Sequence, residues 1–521
     1  MANHQRLRLP IGIQTFSEIR EGDYYYVDKT PVIECLVHQN KYYFLSRPRR
    51  FGKSLLLDTL RCLFEGRQSL FEGLYIHDRW DWKTVHPVIR LSFGDGVLTS
   101  RDALDIHIHE LLNAQAEALD VSLRNTSIAG RFRELIHQTH QRHGERAVLL
   151  IDEYDKPILD NIRYPERARE LREGLKNLYS VLKDADPHLH LVLLTGVSKF
   201  SKVSLFSGLN NLRDITLLPD YTTLCGYTDE DLDTVFAPEL PGLDRDAIRQ
   251  WYNGYRWGGQ EVTSVYNPFD VLLLLQNRQF GPYWFESATP TFLVEILKDR
   301  GVFTPALTAW HSRPALLSRF DVEDISTDAL LFQTGYLTLK DIHEEVPNRP
   351  LYKLGLPNQE VEISLNEALL PALGVSHAIF DDVVIRLPRL LKAADMAGLE
   401  AHMKALYAGL PHDWYRNNPI AQYEGHYASV FYSHFAALGV QVTVEDSSHH
   451  GKVDMAVDFA GHIYLFEFKV VEQLPEGKAL AQIKAKGYAE KYRATGKPIH
   501  LIGVEFSRER RQIVAFDVET I

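Results

Sequence analysis

The sequence predicts an α/β fold: a doubly wound parallel sheet, then a helical segment, then a smaller α/β domain. Three observations indicate it. Short apolar runs recur through the first half of the chain, helical segments separate most of them, and a second group of strands follows residue 440. The helices expected in the first half are 54–64, 101–118 and 167–183, and the expected parallel strands are 42–45, 88–93, 148–151, 191–194 and 215–218.

Length and composition are those of a globular protein of about three domains. The chain has 521 residues, of which 45% are hydrophobic and 24% charged, so disorder is excluded as its main state. No stretch approaches the ~18 uncharged apolar residues of a membrane span, and no apolar signal core follows the first residues. The three cysteines are too widely spaced for a disulfide framework or a metal knuckle. We therefore expect a cytoplasmic protein with no membrane partner.

A phosphate-binding loop is predicted directly after the first strand. The segment 47–54 reads RPRRFGKS and matches G-x-x-x-x-G-K-[ST] except at its first position, where Arg47 replaces glycine. The N–H groups that open the next helix point at the anion, Lys53 is expected to meet the β- and γ-phosphates, and Ser54 is expected to ligate Mg²⁺. A helix start without a ligand is the alternative, which the strand-before, helix-after context disfavours. The expected nucleotide contacts of the loop are Arg50, Phe51, Gly52, Lys53 and Ser54.

Polar groups follow three later strands of the predicted sheet. Asp152 is expected to hold Mg²⁺ through water and Glu153 to polarise the attacking water, because neighbouring residues of an extended strand point to opposite sides. Thr195 and Ser198 are both candidates to bond the γ-phosphate or that water. Arg213, just before the fifth apolar run, is expected either to act as an arginine finger toward a neighbouring subunit of a homo-oligomer or to lie on the surface.

The first 280 residues resemble the AAA-ATPase-like family found in many bacterial proteins, within the P-loop ATPases that use a catalytic glutamate. The resemblance implies an ATP site, and it implies that arginine at position 47 is a usual variant. The segment 25–30 lies before the first strand and is expected to border the adenine. The matching segments are LPIG at 9–12, YYVDKT at 25–30, SRPRRFGKS at 46–54, IDEYD at 151–155, TGVSK at 195–199 and GLNNLRD at 208–214.

Three domains are expected from these patterns: an ATPase core over 1–225, a helical lid and connector over 226–400, and a terminal domain over 401–521. Thr228 is expected to cap an acidic helix at the start of the lid. The aromatic residues of 251–257 are expected to form the lid core in preference to a base-stacking surface. The segment 331–339 is expected to be a strand after a tight turn.

The terminal domain contains a second group of charged residues with metal-binding chemistry. Glu467 and Lys469 are two apart in a predicted strand, 464–469, and therefore share one face. Asp454 joins them if its own strand, 453–457, is adjacent in a hairpin. Two carboxylates bind a hard cation such as Mg²⁺, and the metal with Lys469 can activate water and stabilise a phosphodiester transition state. Glu424, on the preceding helix, is expected to complete the metal shell.

Residues 412–521 resemble the PD-(D/E)XK nuclease superfamily, whose fold is that of restriction endonucleases. Gln482, with Lys486 and Tyr488, matches the helix that approaches the scissile DNA in members of that superfamily, and this helix is expected over 479–492. The alternative is that Glu467 and Lys469, alternating with buried residues along the strand, form only a salt bridge. The clustered basic residues expected either to contact phosphates or to form a solvated face are Lys478, Lys484, Lys486, Lys491, Arg493 and Lys497.

Together these patterns predict an ATP-binding and ATP-hydrolysing protein that gates a nuclease using Mg²⁺ or Mn²⁺, with nucleic acid as the partner and DNA favoured over RNA. Defence against foreign DNA is a role suggested by this architecture. The net charge of −12 excludes wholesale coating of nucleic acid but allows a local site. The alternatives are an ATP-driven switch whose terminal domain binds nucleic acid or a protein without cutting, and a nuclease whose ATP site is a relic.

Overall fold

A computed structural model describes residues 6–199, 211–258, 261–288, 291–300, 304–308, 310–314, 325–344, 349–371, 377–408, 424–448, 451–510 and 512–521. The chain forms two compact units. The first contains Met1–Ala288 and Trp310–Asn358, and the second contains Thr289–Ala309 and Gln359–Ile521. The segment expected to be lid and connector, 226–400, is thus divided between both units. Within the described ranges, no helix combines the length and apolar character needed to cross a bilayer.

The first unit is built on a five-stranded parallel sheet with the order β2-β3-β4-β1-β5. The strands are almost completely buried apolar runs, as expected for a parallel sheet covered on both faces. The carboxyl ends of the central strands β3, β4 and β1 meet at one edge, where ligands bind in such sheets. The strand bounds are β1 Tyr42–Ser46, β2 Val88–Ser92, β3 Ala147–Asp152, β4 Leu189–Gly196 and β5 Arg213–Asp214.

Four of these strands lie where the sequence predicts them, and the fifth does not. The apolar run 215–218 is not a strand; Arg213 and Asp214 pair with Tyr43 and Phe44 instead. The physical reason is that β5 is a two-residue edge strand, so its polar residues satisfy the ladder while the apolar run after it turns into the core. Ile215 is fully buried there, and its N–H donates to the Phe44 carbonyl oxygen at 3.0 Å as the chain leaves the ladder.

The three helices predicted with bounds for the first half start within two residues of their predicted positions. Ser127 caps a further helix, Ile128–His143, and Thr228 forms a capping box with Asp231, as predicted for the acidic helix. The helix predicted over 167–183 starts at Pro165 and ends at Tyr179, where a short 3₁₀ turn follows. The α-helices of this unit are Phe16–Glu21, Thr30–Gln39, Lys53–Phe64, Arg101–Ala118, Ile128–His143, Lys156–Leu159, Pro165–Tyr179, Asp229–Thr234, Arg245–Tyr252, Pro268–Asn277, Tyr283–Ala288 and Thr327–Thr334.

A small antiparallel sheet completes the first unit. Its strands are β6 Trp310–Ser312, β7 Thr338–His343 and β8 Leu351–Gly355, in the order β6-β8-β7. The prediction of a strand over 331–339 is wrong for most of its length, because Thr327–Thr334 is a buried helix that ends at Gly335 with a φ of +92°. Burial on every side removes the polar stripe that would have marked this helix in the sequence.

The second unit is built on a mixed sheet with the order β13-β12-β11-β10-β9. Strands β10 and β11 form the predicted antiparallel hairpin, and β11 pairs in parallel with β12. The strand bounds are β9 Gln441–Ser448, β10 Gly451–Phe459, β11 His462–Val471, β12 Ile499–Ser507 and β13 Gln512–Thr520. The α-helices are Thr291–Asp299, Gln359–Leu369, His377–Lys392, Met396–Ala408, Glu424–Ala436, Lys478–Lys486 and Glu490–Arg493.

The helix predicted over 479–492 is two helices. Gly487 adopts a φ of +59° and ends Lys478–Lys486, and a short turn precedes Glu490–Arg493. A left-handed glycine after the last helical residue is a common helix stop. The break turns Tyr488 into the core beside Ile483 and Leu465, where it is buried.

Two buried histidines in the core of the second unit make its stability sensitive to acid. Burial lowers the pKa of His434 to about 3, and the neighbouring His402, whose Nε2 lies 3.1 Å from that of His434, lowers it further. The pKa of an exposed histidine is 6.5, so the unfolded chain binds the proton first. Stability is therefore complete above about pH 6.5 and falls as the pH drops from there toward 3.

We expect the helix Glu424–Ala436 to lose about 2 kcal/mol of protection between pH 7 and pH 5. Hydrogen exchange, corrected for intrinsic rates, measures this. A His434→Gln protein cannot ionise at this position and should lose most of the dependence, whereas the exposed control His143→Gln should retain it. Equal pH dependence in His434→Gln and the unchanged protein would contradict the assignment.

Candidate functional site

The phosphate-binding loop has the backbone geometry that its motif predicts. Gly52 has a φ of +87° and immediately precedes the helix Lys53–Phe64. A Cβ added at Gly52 would meet nothing within 4 Å, so glycine is required there by the backbone conformation and not by crowding. The Lys53 ammonium is buried and donates to the carbonyl oxygens of Arg47 and Pro48, each at 2.9 Å. Burial lowers the pKa of Lys53, and Asp152 and Glu153 partly oppose that shift.

Arg47, at the position where the motif has glycine, is a fully buried clamp. Its guanidinium donates to the carbonyl oxygens of Ser46, Thr216 and Tyr221 at 2.8–3.1 Å and lies 4.1 Å from the Trp257 ring centroid. Burial lowers the pKa of Arg47 to about 10. The side chain therefore holds the start of the loop against the segment that follows β5 and against Trp257, a role that a glycine could not fill.

Aromatic residues far along the chain enclose the same loop. Phe51 packs edge-on against Tyr255 and Trp257, with ring centroids 4.8 and 5.2 Å away. The Trp284 indole donates to the carbonyl oxygen of Arg49 at 3.0 Å. Tyr255 and Trp257 are buried, as the prediction of a lid core requires.

The two predicted acids take different conformations at the end of β3. Asp152 is buried, and its Oδ1 accepts from the Thr195 hydroxyl at 2.8 Å and from the Glu153 N–H at 3.0 Å. Glu153 lies beyond the strand with a φ of +49°. The prediction that strand alternation separates their roles is therefore wrong in its reason: a left-handed turn, and not the pleat, turns Glu153 away from Asp152.

Ser198 and Thr195, between which the sequence could not choose, contact different acids. The Ser198 hydroxyl donates to Asp155 Oδ2 at 2.6 Å, while Thr195 holds Asp152. The Asp155 carboxylate also accepts from the backbone N–H groups of Val197 and Ser198. Burial raises the pKa of Asp155 to about 6. Asp155 is a positioning residue that sequence reasoning missed, although it stands in the matched IDEYD segment.

A cavity of about 340 Å³ opens over the phosphate-binding loop. Four cationic side chains and one carboxylate line it, which suits a polyphosphate. The charged lining residues are Arg49, Arg50, Lys53, Lys156 and Glu153, and Gly52 and Ser54 also line it.

An apolar cavity adjoins the cationic one, and Gly52 and Leu55 line both. Its walls include Tyr25, Tyr26 and Val27 of the segment expected to border the adenine. An apolar wall next to a polyphosphate site suits the ring of a nucleobase.

Arg213 does not line the cationic cavity among the residues that the structure describes. It lies in β5 at the sheet edge, and its Nη1 donates to Gln39 Oε1 at 3.3 Å. Its role toward a neighbouring subunit stays a prediction.

In the second unit the hairpin brings together the three predicted nuclease residues. Met455 pairs with Phe466, so Asp454 and Glu467 are the next residues of the two strands. The Asp454 carboxylate accepts from the Phe468 N–H at 2.8 Å, and the Lys469 ammonium lies 3.3 Å from Glu467 Oε1. As predicted, Phe466 and Phe468 are buried, and both contact Phe431.

Glu467 is the buried acid of this group, only 1% exposed. Its Oε2 atom is buried and has no hydrogen-bond partner in the part of the chain that the structure describes, while Oε1 accepts from Lys469 and Gln482. Burial, with the Asp454 charge next, raises the pKa of Glu467 to about 7. A buried acceptor without a donor costs free energy unless another group binds it.

A divalent cation fits this arrangement. Mg²⁺ is commonly held by one or two carboxylates, with water and phosphate oxygens filling its other positions, and Asp454 and Glu467 supply two. No group of three or more His, Cys, Asp or Glu side chains is arranged to hold a metal in the described part of the chain. Glu424, the predicted third ligand, begins the helix Glu424–Ala436, but its side chain lies outside the described residues.

Gln482 is placed against Glu467 by two residues that sequence reasoning missed. Glu505, fully buried in β12, accepts from the N–H groups of Lys478 and Ala479 and so caps the helix that carries Gln482. Gly503 pairs with Glu467 across β11 and β12, and a Cβ there would lie 2.3 Å from the Leu480 nitrogen. The only sequence signal was a glycine inside a strand, which marks close backbone approach.

We expect Gly503→Ala to push the helix Lys478–Lys486 off the sheet. Overpacking against backbone should cost about 2–3 kcal/mol of unfolding free energy and withdraw Gln482 from Glu467. Thermal unfolding measures the first effect. Gly461→Ala is the control, since its Cβ meets nothing within 4 Å and only its φ of +86° is strained. Equal stability of the two variants would contradict this account.

Ion pairs occupy half of the predicted basic cluster. Lys478 pairs with Glu476, Lys484 with Glu519, and Lys497 with Asp458. Lys486 and Arg493 are exposed and have no acidic partner among the described residues. Tyr488 is buried and does not accompany them on the surface, contrary to its predicted place beside Gln482.

Comparison with known proteins finds one family model in each half of the chain. A family model described as a predicted AAA-ATPase matches residues 10–206, and a model of the PD-(D/E)XK nuclease superfamily matches residues 422–516. A relative from Azotobacter chroococcum mcd 1, described as an uncharacterized protein in the vnfD 5′ region, is 59% identical over 517 residues. The alignment covers 99% of each of the two chains.

Proposed function

Because this chain belongs to the family of predicted AAA-ATPases with a C-terminal PD-(D/E)XK nuclease-superfamily domain, we propose that it hydrolyses ATP and uses ATP to control phosphodiester cleavage. The observation that carries the cleavage half is the buried Oε2 atom of Glu467, which lies beside Asp454 and Lys469 and has no hydrogen-bond partner among the described residues. A domain that only binds nucleic acid has no need to bury a carboxylate in this way.

ATP is the nucleotide that the first unit supports best. The cationic cavity receives the triphosphate, and the apolar cavity beyond Gly52 receives the base. Lys53 leaves the loop carbonyls and donates to the phosphates, an exchange of one pair of oxygen acceptors for more strongly charged ones. Ser54 and Asp152 would hold Mg²⁺, which would neutralise charge on the phosphates, and Glu153, which lines the cavity, would accept a proton from the attacking water.

The second unit supports hydrolysis of nucleic acid, with DNA favoured. Asp454 and Glu467 would hold a metal ion, Mg²⁺ or Mn²⁺, which when bound would supply Lewis acidity toward a phosphodiester and make the attacking water more acidic. Lys469 donates to the charge that develops on the phosphoryl oxygens, and Gln482 keeps Glu467 in place through its amide. Lys486 and Arg493 contact phosphates farther along the strand.

Control by ATP is supported by the path of the chain. Gly335 approaches Pro48 of the phosphate-binding loop, where a Cβ would lie 2.7 Å from the proline ring, and Gln333 accepts from the Lys199 N–H at 2.8 Å. The chain passes from this segment into the second unit at Gln359. A rearrangement of the loop on binding ATP would therefore act on residues that lead into the nuclease unit.

We propose defence against foreign DNA as the biological role of this protein.

Cleavage assays test the proposal. Linear, circular and single-stranded DNA, and RNA, are incubated with Mg²⁺ or Mn²⁺, with and without ATP. The expected result is metal-dependent cleavage of DNA that changes at least tenfold on adding ATP. ATP hydrolysis without cleavage of any substrate would favour a switch whose second unit binds nucleic acid or a protein without cutting. Cleavage indifferent to ATP would contradict gating.

A further inference from the structure

Arg50 is the residue of the phosphate-binding loop whose placement is least explained by folding. It has a φ of +67°, a left-handed conformation that favours glycine and costs an arginine of order 1 kcal/mol. Glu153, also left-handed, lines the same cavity. Glycine would adopt this backbone conformation without strain. An arginine at this position therefore indicates that its side chain has a function beyond folding.

The other three cations of the cavity are already engaged. Lys53 donates to loop carbonyls, and the Lys156 ammonium lies 3.0 Å from Asp160 Oδ2. The Arg49 Nη2 atom lies 3.9 Å from Asp160 Oδ1. Within the described residues, Arg50 has no acidic or carbonyl partner, and its guanidinium carbon stacks 5.0 Å from the centroid of Phe269.

Phe269 is a fixed platform for that stacking. Its N–H donates to Asn267 Oδ1 at 2.9 Å, and the fully buried Asn267 caps the helix Pro268–Asn277. Stacking on a ring orients a guanidinium and leaves its N–H groups available in the ring plane. Arg50 is therefore held over the cavity with its donors uncommitted.

We propose that Arg50 is the arginine that stabilises the transferring γ-phosphoryl group, supplied within the chain, so that hydrolysis needs no arginine from a neighbouring subunit. The proposal rests on the ATPase activity proposed above. The water oxygen bonds to the γ-phosphorus, the bond from that phosphorus to the β,γ-bridging oxygen breaks, and ADP leaves with the electron pair. The water proton passes to Glu153, and Arg50 donates to the γ-phosphoryl oxygens, where charge is spread in the transition state.

The test uses Arg50→Gly, because glycine suits the left-handed backbone and the variant should fold at least as well as the unchanged chain. We expect kcat for ATP hydrolysis to fall about 10²–10³-fold, with KM changed less than about fivefold. Arg50→Lys should recover at most about a tenth of the lost rate, since an ammonium lacks the planar donor pair. Arg142→Ala is the matched control and should hydrolyse ATP normally, because Arg142 pairs with Asp120 on the surface, away from the cavity.

Mixing Arg50→Gly with Lys53→Ala chains distinguishes an arginine supplied within the chain from one supplied by a neighbouring subunit. Activity restored in the mixture would mean that arginine acts between subunits and would overturn the proposal, as would an unchanged kcat in Arg50→Gly. No restoration, with specific activity constant on dilution of the unchanged chain, is the expected result. Absence of hydrolysis by the unchanged chain would overturn the proposed ATPase and Arg50 together, whereas a normal rate in Arg50→Gly would leave the ATPase standing.

Discussion

Glu467→Gln is expected to abolish nucleic-acid cleavage, lowering the rate at least ~10³-fold, while the protein keeps its fold. The amide is isosteric with the carboxylate, so the packing around β11 is preserved, but it cannot offer a negative charge to a cation. Cleavage with Mg²⁺ and with Mn²⁺ measures the effect. Asp454→Asn should behave alike, because we propose that both carboxylates hold the same metal ion.

Metal binding gives this prediction a readout besides activity. At a metal concentration 100 times its Kd, the unchanged protein should gain about 2.7 kcal/mol of stability. Glu467→Gln should gain almost none and, without metal, should be at least as stable as the unchanged chain, because a buried charge has been removed.

Glu472→Gln is the matched control for this prediction. Its carboxylate pairs with Arg508 on the surface, 78% exposed, so neither cleavage nor metal stabilisation should change. Cleavage by Glu467→Gln at near-normal rates would mean that the metal binds elsewhere and would contradict the assignment of Glu467 as a metal ligand.

Lys53→Ala and Glu153→Gln are expected to separate the binding of ATP from its hydrolysis. Lys53→Ala removes the cation nearest the loop carbonyls and should weaken ATP binding at least ~100-fold. Glu153→Gln leaves the cavity lining in place and should bind ATP normally, but its hydrolysis rate should fall about 10²–10⁴-fold because the amide cannot accept the water proton.

The same pair tells which step controls the nuclease. If ATP binding alone controls cleavage, Glu153→Gln should keep the ATP-dependent rate of cleavage long after the unchanged protein has consumed its ATP. The rate of cleavage by Lys53→Ala should be the same with and without ATP. Fluorescent ATP binding, phosphate release and cleavage are measured on each protein. Lys83→Ala, an exposed lysine, is the control. Normal ATP affinity in Lys53→Ala would contradict the phosphate-binding assignment.

Part of the candidate site follows from local sequence alone. Gly52 immediately precedes, and Lys53 and Ser54 begin, the helix that follows an apolar strand, and a strand followed by such a helix start has few other structures open to it. Likewise, the two-residue spacing of Glu467 and Lys469 places them on one face of any strand, and the structure finds them 3.3 Å apart. Each of these predictions depends on periodicity within one element.

The residues that support the site could not be predicted, because their partners are distant in sequence. Arg47 looked like a departure from the motif, yet it is held by carbonyls about 170 positions later. Gln482 reaches Glu467 only because Gly503 admits the helix and Glu505 caps it.

The sequence by itself determined the two α/β units, the phosphate-binding loop and the paired carboxylates of the hairpin, since these are written in strand and helix periods. Only the tertiary structure decided that Arg50 stacks on Phe269 over the cavity, that Arg213 lies at the sheet edge, and that Glu153 turns away from Asp152 through a left-handed residue. Such placements result from packing and backbone turns between elements, which no local pattern encodes.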